Sequence, residues 1–548
     1  MKFDKNALYF LPLGGCGEIG MNLNLYHDQG KWIMVDMGIT FDDTPGIEVV
    51  MPDITFLEEI KDDLLGLVLT HAHEDHYGAI QYLWTKIKCP IFATPFTAEM
   101  LKYKTKEAGI NPPVHVIPLG GGIDIGPFSI DFINLTHSIP EPNALAIKTT
   151  KGTILHTGDW KIDPNPLVGD STDEDKLKRL GKEGVLALVC DSTNVFEEGR
   201  SGSEAVIREN LIELAGKYPG KRVVMACFAS NVARVATGYE AAHQNGRFPV
   251  LVRRSLEKVD AAARASGYFQ GMLPFLKAYD AKALDRGKTL LICTGSQGEQ
   301  RAALKRIASQ EDRHIKLETG DVVIFSSRQI PGNEKQIDEL QNMLVEQGVE
   351  LITHIEADVH VSGHPCRDEL IDMYGWTKPQ ILIPVHGEEK HLVEQSKLGK
   401  LCQIPHTIVT HNGQVVELTS GKPEIVGEVH HGRLAVDGNV LIPFQGETMH
   451  IRHRMMANGQ IIATLVVSEK GQLLAEPEIL FFGVGEFHEE LELQEDCIES
   501  LQAILADMTL DELQDDVLLE EKTRTLIRRI VNAARGKKPP THVQVIRV

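Results

Sequence analysis

The sequence of 548 residues contains no long hydrophobic run, no internal repeat and no closely spaced pair of cysteines. A helix that crosses a bilayer needs about 20 consecutive apolar residues, so we expect no membrane association. Residues 1–13 hold only a short apolar stretch and predict a first strand rather than a signal peptide. The eight cysteines are scattered, which argues against a disulfide framework or a zinc ribbon and favours a reducing, cytoplasmic location.

The sequence also lacks the basic excess that is typical of nucleic-acid-binding proteins, because its net charge is -21. The charge is unevenly distributed. Residues 205–350 contain 21 Lys and Arg against 17 Asp and Glu, whereas the whole chain contains 56 and 77. The acidic excess therefore lies outside the middle of the chain, and the overall charge is compatible with a locally basic groove.

The pattern of apolar residues changes along the chain, which is too long for one hydrophobic core of roughly 250–300 residues. The first 200 residues alternate short Val/Ile/Leu runs with turns, which predicts many strands. From residue 205 helical and strand patterns alternate, as in a parallel α/β sheet. A third region, from about residue 446, predicts strands, two helices and a closing strand. We therefore expect two or three domains.

A dense cluster of potential metal ligands follows the predicted strand 65–69. Its members are His71, His73, Asp75 and His76. Zinc prefers imidazole and carboxylate ligands, and a catalytic ion keeps one position open for water. This short segment cannot complete two coordination shells, so further ligands must come from other predicted strand ends.

Three residues at other predicted strand ends have suitable side chains: His137, Asp159 and His386. Considered without any resemblance, each of them is as compatible with an ordinary structural role as with metal binding.

The run His71-x-His73-x-Asp75-His76 resembles the metal-binding signature of the metallo-β-lactamase superfamily. This resemblance implies two divalent ions, Zn²⁺ with Mn²⁺ as the alternative, and an upstream carboxylate, Asp36, that steadies the metal loop. The implied ligands are His71, His73 and His137 for one ion, Asp75, His76 and His386 for the second, and Asp159 as a bridge.

The α/β region between Asp159 and His386 resembles the β-CASP insertion of nucleic-acid-processing members of this superfamily. Four further segments (228–231, 294–299, 326–327 and 330–334) narrow the resemblance to the ribonuclease J family. It covers nearly the whole chain and implies a two-metal ribonuclease.

The implied fold is a metallo-β-lactamase αββα sandwich with an inserted β-CASP α/β domain and a small C-terminal α/β domain. The implied boundaries are 1–204 and 351–425 for the two parts of the sandwich domain, 205–350 for the insertion, 426–445 for a linker and 446–548 for the C-terminal domain.

The same resemblance implies roles for residues close to the ions, where Asp75 is counted as both ligand and catalytic residue. His364 is expected to contact the scissile phosphate or to protonate the leaving oxygen, and Asp191 to orient His364 or a metal ligand. Ser362, Gly363 and His364 are expected to form a pocket for a 5′-monophosphate and so to permit 5′-to-3′ exonuclease action. Many relatives continue with Ala-Ser, whereas this chain continues with Pro365-Cys366-Arg367. Arg367 is a candidate substitute for the missing hydroxyl, because guanidinium binds phosphate well.

The expected role is RNA maturation and decay, including rRNA processing and mRNA decay, by a cytoplasmic homodimer whose further partners the sequence does not identify. Three alternatives are open: a small-molecule hydrolase of the lactonase or thioesterase type, a metal-free RNA-binding protein, and an endonucleolytic or 3′-end-processing nuclease. The run Gly15-x-Gly17-x-x-Gly20 formally fits a dinucleotide-binding fingerprint. A predicted strand pair follows it instead of the required helix, so we interpret it as a structural bend.

Overall fold

The computed structural model describes residues 2–330, 332–419 and 421–548, so Pro331 of the predicted segment 330–334 lies outside the described residues. The chain forms two compact units, Met1–Leu434 and Ala435–Val548. Within the described ranges, no helix combines the length and the apolar character that crossing a bilayer requires.

The larger unit begins with the strands and helices of two stacked sheets, among which lie three strands of two to four residues that belong to neither sheet. In chain order they are β1 (Tyr9–Gly14), β2 (Cys16–Gly17), β3 (Leu23–Asp28), β4 (Lys31–Val35), β5 (Thr40–Phe41), β6 (Val49–Pro52), α1 (Thr55–Ile60), β7 (Leu64–Val68), α2 (Glu74–Tyr77), α3 (Ile80–Ile87), β8 (Ile91–Ala93), α4 (Pro95–Ala108), β9 (Val114–Val116), β10 (Gly122–Ile125), β11 (Phe128–Asn134), β12 (Asn143–Thr149), β13 (Gly152–His156), α5 (Glu174–Glu183) and β14 (Ala187–Asp191).

A second α/β sheet, which we call the inserted sheet, interrupts these elements. Its unit comprises α6 (Glu204–Gly216), β15 (Val223–Ala226), α7 (Val232–Gln244), β16 (Phe248–Val252), α8 (Arg254–Ala265), β17 (Leu276–Lys277), α9 (Ala278–Ala281), a 3-10 turn (Arg286–Lys288), β18 (Thr289–Cys293), α10 (Ala303–Ala308), β19 (Val322–Phe325), α11 (Glu334–Glu346) and β20 (Glu350–Ile352). The strand order is β17-β16-β18-β15-β19-β20, and all of these pairs are parallel. The alternating pattern from residue 205 predicted this arrangement, which the structure confirms.

The chain then returns to the stacked sheets. The closing elements are α12 (Arg367–Thr377), β21 (Ile381–Val385), β22 (Gly387–Glu388), α13 (Glu389–Leu401), β23 (His406–Thr407), β24 (Gln414–Glu417) and β25 (Glu424–Glu428). One sheet has the order β25-β24-β1-β3-β4-β7-β8-β9 and the other β10-β11-β12-β13-β14-β21-β23. Their facing sides share one core, in which Phe10 and Tyr26 meet Phe132 and Leu145. Apolar residues of α5, α12 and α13 cover the outer side of the second sheet, which gives a sheet–sheet–helix arrangement of layers.

The last elements of the chain are β26 (Arg433–Asp437), β27 (Val440–Pro443), α14 (Glu447–Asn458), β28 (Gln460–Val467), β29 (Glu478–Phe482), α15 (Phe487–Asp507), α16 (Leu510–Gln514), α17 (Asp516–Arg535) and β30 (Thr541–Arg547). In the small unit, β28 lies between β29 and β30, and its inward side chains pack on α15 and α17. Residues 426–445, predicted as a linker, contain strands β26 and β27.

A buried ion pair connects the inserted sheet to the segment that follows it. The guanidinium of Arg234 is fully buried and lies 3.0 Å from the carboxylate of Glu204. It also donates to the carbonyl of Val359 at 2.8 Å, and the hydroxyl of Ser326 donates to the same carbonyl at 2.8 Å. These bonds fix the backbone three residues before Ser362.

We expect the substitution Arg234→Met to lower the melting temperature strongly. It leaves the Glu204 carboxylate buried without a cation, which costs about 3–5 kcal/mol. The double variant Arg234→Met/Glu204→Gln should recover part of that loss. Arg200→Met is the control, because Arg200 pairs with Asp372 on the surface and such pairs contribute about 1 kcal/mol or less. Equal melting temperatures for the two single variants would contradict a structural role of the buried pair.

Candidate metal centre

The candidate ligands lie where strands of the second sheet end. Strands β13, β14 and β21 are parallel neighbours, and β11 runs in the same direction because two antiparallel pairings separate it from β13. Parallel strands end at the same edge of a sheet, so the residues that follow them meet there. The side chains that lie at this edge are His137, Asp159, Asp191 and His386. The segment after β7 brings His71 to His76 to the same place from the first sheet.

The first ligand group contains His71, His73, His137 and Asp159, whose ligand atoms all lie within 4.8 Å of one another. The Nε2 atom of His137 is 3.0 Å from Nδ1 of His73. The Nδ1–H of His137 donates to the carbonyl of Gly363 at 2.5 Å. Burial lowers the pKa of His73 to about 4. Burial, together with neighbouring histidines, also lowers the pKa values of His71 and His137. These imidazoles are therefore neutral, which is the form that binds metal ions.

A hydrogen-bond chain selects the tautomer of His71. The hydroxyl of Thr70 donates to Oδ2 of Asp36 at 2.8 Å, so its oxygen accepts from Nδ1–H of His71 at 3.0 Å. The Nε2 lone pair of His71 is buried and has no hydrogen-bond partner among the described residues. A buried acceptor without a donor is costly. The lone pair of His71 is therefore suited to bind a cation, which the neighbouring ligand atoms could bind as well.

The second ligand group contains Asp75, His76, Asp159 and His386, also within 4.8 Å of one another. Nδ1–H of His76 donates to Asp36 at 2.7 Å, which leaves Nε2 facing Asp159 at 3.2 Å. Nε2 of His386 lies 3.1 Å from the carboxylate of Asp75. Both groups contain Asp159.

The electrostatics of the centre favour cations, because four carboxylates (Asp36, Asp75, Asp159 and Asp191) surround it. Burial raises the pKa of Asp159, but the charges of His386 and His76 outweigh burial and hold it well below its usual value. Burial likewise lowers the pKa of His386, yet Asp159 and other carboxylates raise it well above the usual value. The cluster thus stabilises positive charge at its middle, as a pair of divalent ions would supply.

His364 lies at the edge of the centre with 23% of its side chain exposed. Its Nδ1–H donates to Asp191 at 2.8 Å, and its ring lies 3.9 Å from Asp159. Burial lowers the pKa of His364, but Asp191 and Asp159 outweigh burial and raise it. Asp191 therefore orients the ring and favours its protonated form. Asp159, Asp191, His364 and His386 also form a third group of possible ligands.

The loop of Ser362 and Gly363 lies against the first ligand group. The hydroxyl of Ser362 accepts from the amide of Asn194 at 2.6 Å and from the backbone N–H of His364 at 3.1 Å. A Cβ atom at Gly363 would lie 2.6 Å from the ring of His137. Only glycine therefore lets this loop approach the ligand so closely.

The residues Pro365-Cys366-Arg367, where this chain departs from the pattern of many relatives, have defined contacts in the structure. Cys366 is buried at the N-terminus of α12, where its N–H donates to Glu369 at 2.8 Å. Arg367 donates to the Val195 carbonyl at 3.2 Å and to Glu394 at 3.1 Å. In this structure its guanidinium is engaged by the protein, which argues against the substitution suggested from sequence.

Sequence reasoning missed three polar residues of the centre: Thr70, Asn194 and Asn22. Thr70 joins Asp36 to His71, and Asn194 holds the Ser362 loop. Asn22 contacts Asp75 and His76. Thr70 directly precedes His71, and this position in the sequence was a signal that Thr70 belongs to the centre. Asn22 follows the glycine-rich run that we interpreted only as a bend.

Two stacked sheets with histidines and aspartates gathered at their strand ends define a metallo-hydrolase of the metallo-β-lactamase superfamily, whose family model matches residues 22–191. The models described as "Ribonuclease J, beta-CASP domain" and "Ribonuclease J C-terminal domain" match residues 220–344 and 448–548. A "Zn-dependent metallo-hydrolase RNA specificity domain" matches residues 333–405. The chain belongs to the ribonuclease J family.

The relatives support this assignment over the full length. The chain is 43% identical to ribonuclease J of Sinorhizobium meliloti, covering 99% of this chain and 97% of the relative. It is 34% identical to ribonuclease J of Mycobacterium tuberculosis, covering 98% of both. A solved structure of a protein of unknown function from Enterococcus faecalis V583 has a TM-score of 0.53 at 16% identity, covering 75% of this chain and all of that one, and shows the fold alone. The predicted family, fold class and enzyme class are confirmed: the protein is a metal-dependent RNA hydrolase.

Proposed function

We propose that the centre holds two divalent ions, Zn²⁺ or Mn²⁺, one at His71, His73 and His137 and the other at Asp75, His76 and His386, with Asp159 shared. The observation that carries this proposal is the membership of Asp159 in both ligand groups. When bound, such a pair lowers the pKa of water to roughly 7 and stabilises the attacking and leaving oxygens of an in-line displacement.

The residues beside the ligands have separate roles in the proposed reaction. The oxygen of water forms a bond to phosphorus, the bond from phosphorus to the 3′ oxygen breaks, and one product keeps a 5′-phosphate. His364, held by Asp191 at 2.8 Å, gives a proton to the leaving 3′ oxygen from Nε2. Asp36, through Thr70 and His76, keeps two ligand histidines in their binding tautomers.

We propose 5′-to-3′ exonuclease action that favours RNA with a 5′-monophosphate, bound at Ser362, Gly363 and His364. The contact of this loop with His137 supports a terminal-phosphate pocket beside the first ligand group. A second candidate, internal cleavage that ignores the 5′ end, gains support from Arg367, whose pairing with Glu394 removes a cation from the pocket.

A time course on one internally labelled RNA, with either a 5′-monophosphate or a 5′-triphosphate, separates these candidates. We expect immediate release of mononucleotides from the monophosphate RNA. Release from the triphosphate RNA should be at least about tenfold slower, because the proposed pocket is for a single phosphate group and a binding loss of about 1.4 kcal/mol is a tenfold effect. Internal fragments at equal rates from both RNAs would contradict the 5′-end preference and favour the second candidate.

We also propose that the protein acts on RNA maturation and decay in the cytoplasm as a homodimer. Its eight cysteines are free thiols, which supports a reducing compartment. Light scattering during size-exclusion chromatography tests the dimer, and a mass of one chain at micromolar concentration would contradict it.

A further inference from the structure

The glycine-rich segment, which we call the glycine loop (residues 15–22), lies beside the second ligand group. Its strand β2 pairs in parallel with β22, which begins directly after His386. The N–H of His386 donates to the carbonyl of Gly15 at 2.6 Å, and the N–H of Asn22 donates to the carbonyl of Asp75 at 2.9 Å. The two ends of one loop therefore support the backbones of two ligands of the same proposed ion.

The side chain of Asn22 reaches the second group directly, and its residue is 3% exposed. Its Nδ2 lies 3.1 Å from the carbonyl of Asp75 and 3.1 Å from Nε2 of His76. A carbonyl can only accept, so the amide nitrogen and not the amide oxygen faces this side. Because Nε2 of His76 is the nitrogen that would bind an ion, its lone pair would then be unavailable to the amide, and the contact that would remain is the one to the carbonyl of Asp75.

Gly15 makes room for this amide. Its φ of +87° is favourable for glycine alone, and a Cβ atom there would lie 2.4 Å from Oδ1 of Asn22. The first ligand group has other supports, namely Thr70 for His71 and the Gly363 carbonyl for His137. Among the described contacts, none joins the glycine loop to His71, His73 or His137.

We propose that Asn22, held in place by Gly15, is a positioning residue that sets the affinity of the second ion independently of the first. This inference rests on the proposed two-ion function. Without the amide, the carbonyl of Asp75 loses one of the two donors of Asn22 that hold it, and the preorganisation of Asp75 for the ion is reduced. Loss of a residue that supports metal ligands weakens metal binding by about tenfold to a hundredfold.

The test is a titration of the full-length, chelator-stripped protein with Zn²⁺ in competition with a chromophoric chelator, which resolves the affinity of each ion. We expect Asn22→Ala to raise the dissociation constant of the second ion by about tenfold to a hundredfold and to leave the first ion within about twofold. Asn22→Ser, whose hydroxyl can still donate one bond, should lie between Asn22→Ala and wild type. Gly15→Ala should reproduce the loss.

The matched control is Asn24→Ala, because Asn24 is 1% exposed on β3 and no described contact joins its side chain to a ligand. It should bind both ions as wild type does, and equal metal-free melting temperatures identify the variants that fold. If Asn22→Ala fails to fold, Asn22→Ser carries the test. An unchanged dissociation constant of the second ion, or an equal increase in the dissociation constants of both ions, would overturn the inference. A wild-type protein that binds fewer than two ions, or His76→Ala that still binds two, would instead overturn the proposed ligand set.

Discussion

Replacing Asp159 with asparagine should lower kcat/KM for RNA cleavage by at least about a thousandfold. A single electrostatic contact to the reacting group contributes about a hundredfold to a thousandfold, and this substitution affects two ions. Asparagine preserves the size of the side chain but removes its charge and one ligand oxygen. Asp159 belongs to both ligand groups and is 2% exposed, so its loss affects both proposed ions. The measurement is the initial rate on internally labelled RNA together with the number of ions bound per chain.

The matched control is Asp28→Asn. Asp28 is also a fully buried carboxylate with a cationic partner, Lys151. It lies at the end of β3 that is farther from the centre, about 17 Å along the strand from Leu23. We expect this control to keep both ions and an activity within about twofold of wild type. Full ion content and near-normal cleavage in Asp159→Asn would contradict its role as the shared ligand.

The second large effect is expected for His364→Ala, which should slow cleavage by about a hundredfold to ten-thousandfold, the usual contribution of a general acid. Unlike Asp159→Asn, this variant should keep both ions, because His364 is absent from the first and second ligand groups. A substrate with sulfur in place of the leaving 3′ oxygen needs no proton, so it should restore most of the lost rate.

A double-mutant cycle separates the roles of His364 and Asp191. Asp191 contacts the ring of His364 at 2.8 Å, so Asp191→Asn should add little to the defect of His364→Ala. His27→Asn serves as the control, since His27 is a buried histidine that bonds to the carbonyl of Ala7. An unrestored rate on the sulfur substrate would contradict proton donation, and fully additive defects would place Asp191 in a separate role.

Much of the fold follows from local patterns. The alternation from residue 205 predicts the parallel inserted sheet, and the predicted strand 65–69 is shifted by one residue from the observed strand 64–68. The strands within residues 426–445 were harder to predict, because their apolar runs, β26 and β27, are only five and four residues long. Pairing partners decide their conformation, and pairing cannot be read from a local window.

The candidate site was predictable only in part for a similar reason. The spacing of His71, His73, Asp75 and His76 is local and indicates metal binding by itself. His137 and Gly363 meet although 226 residues separate them, and only the resemblance to a family could bring such residues together. Asn22 carries no local signal of metal chemistry, because its contribution is a hydrogen bond to a ligand 53 residues away.

The most direct test of the two-ion centre is anomalous diffraction from crystals of the Zn²⁺-loaded protein, recorded on both sides of the zinc edge. We predict two peaks about 3.5–4 Å apart, one beside His71, His73 and His137 and the other beside Asp75, His76 and His386, with Asp159 between them. A single peak in the centre, or two peaks that do not share Asp159, would contradict the account.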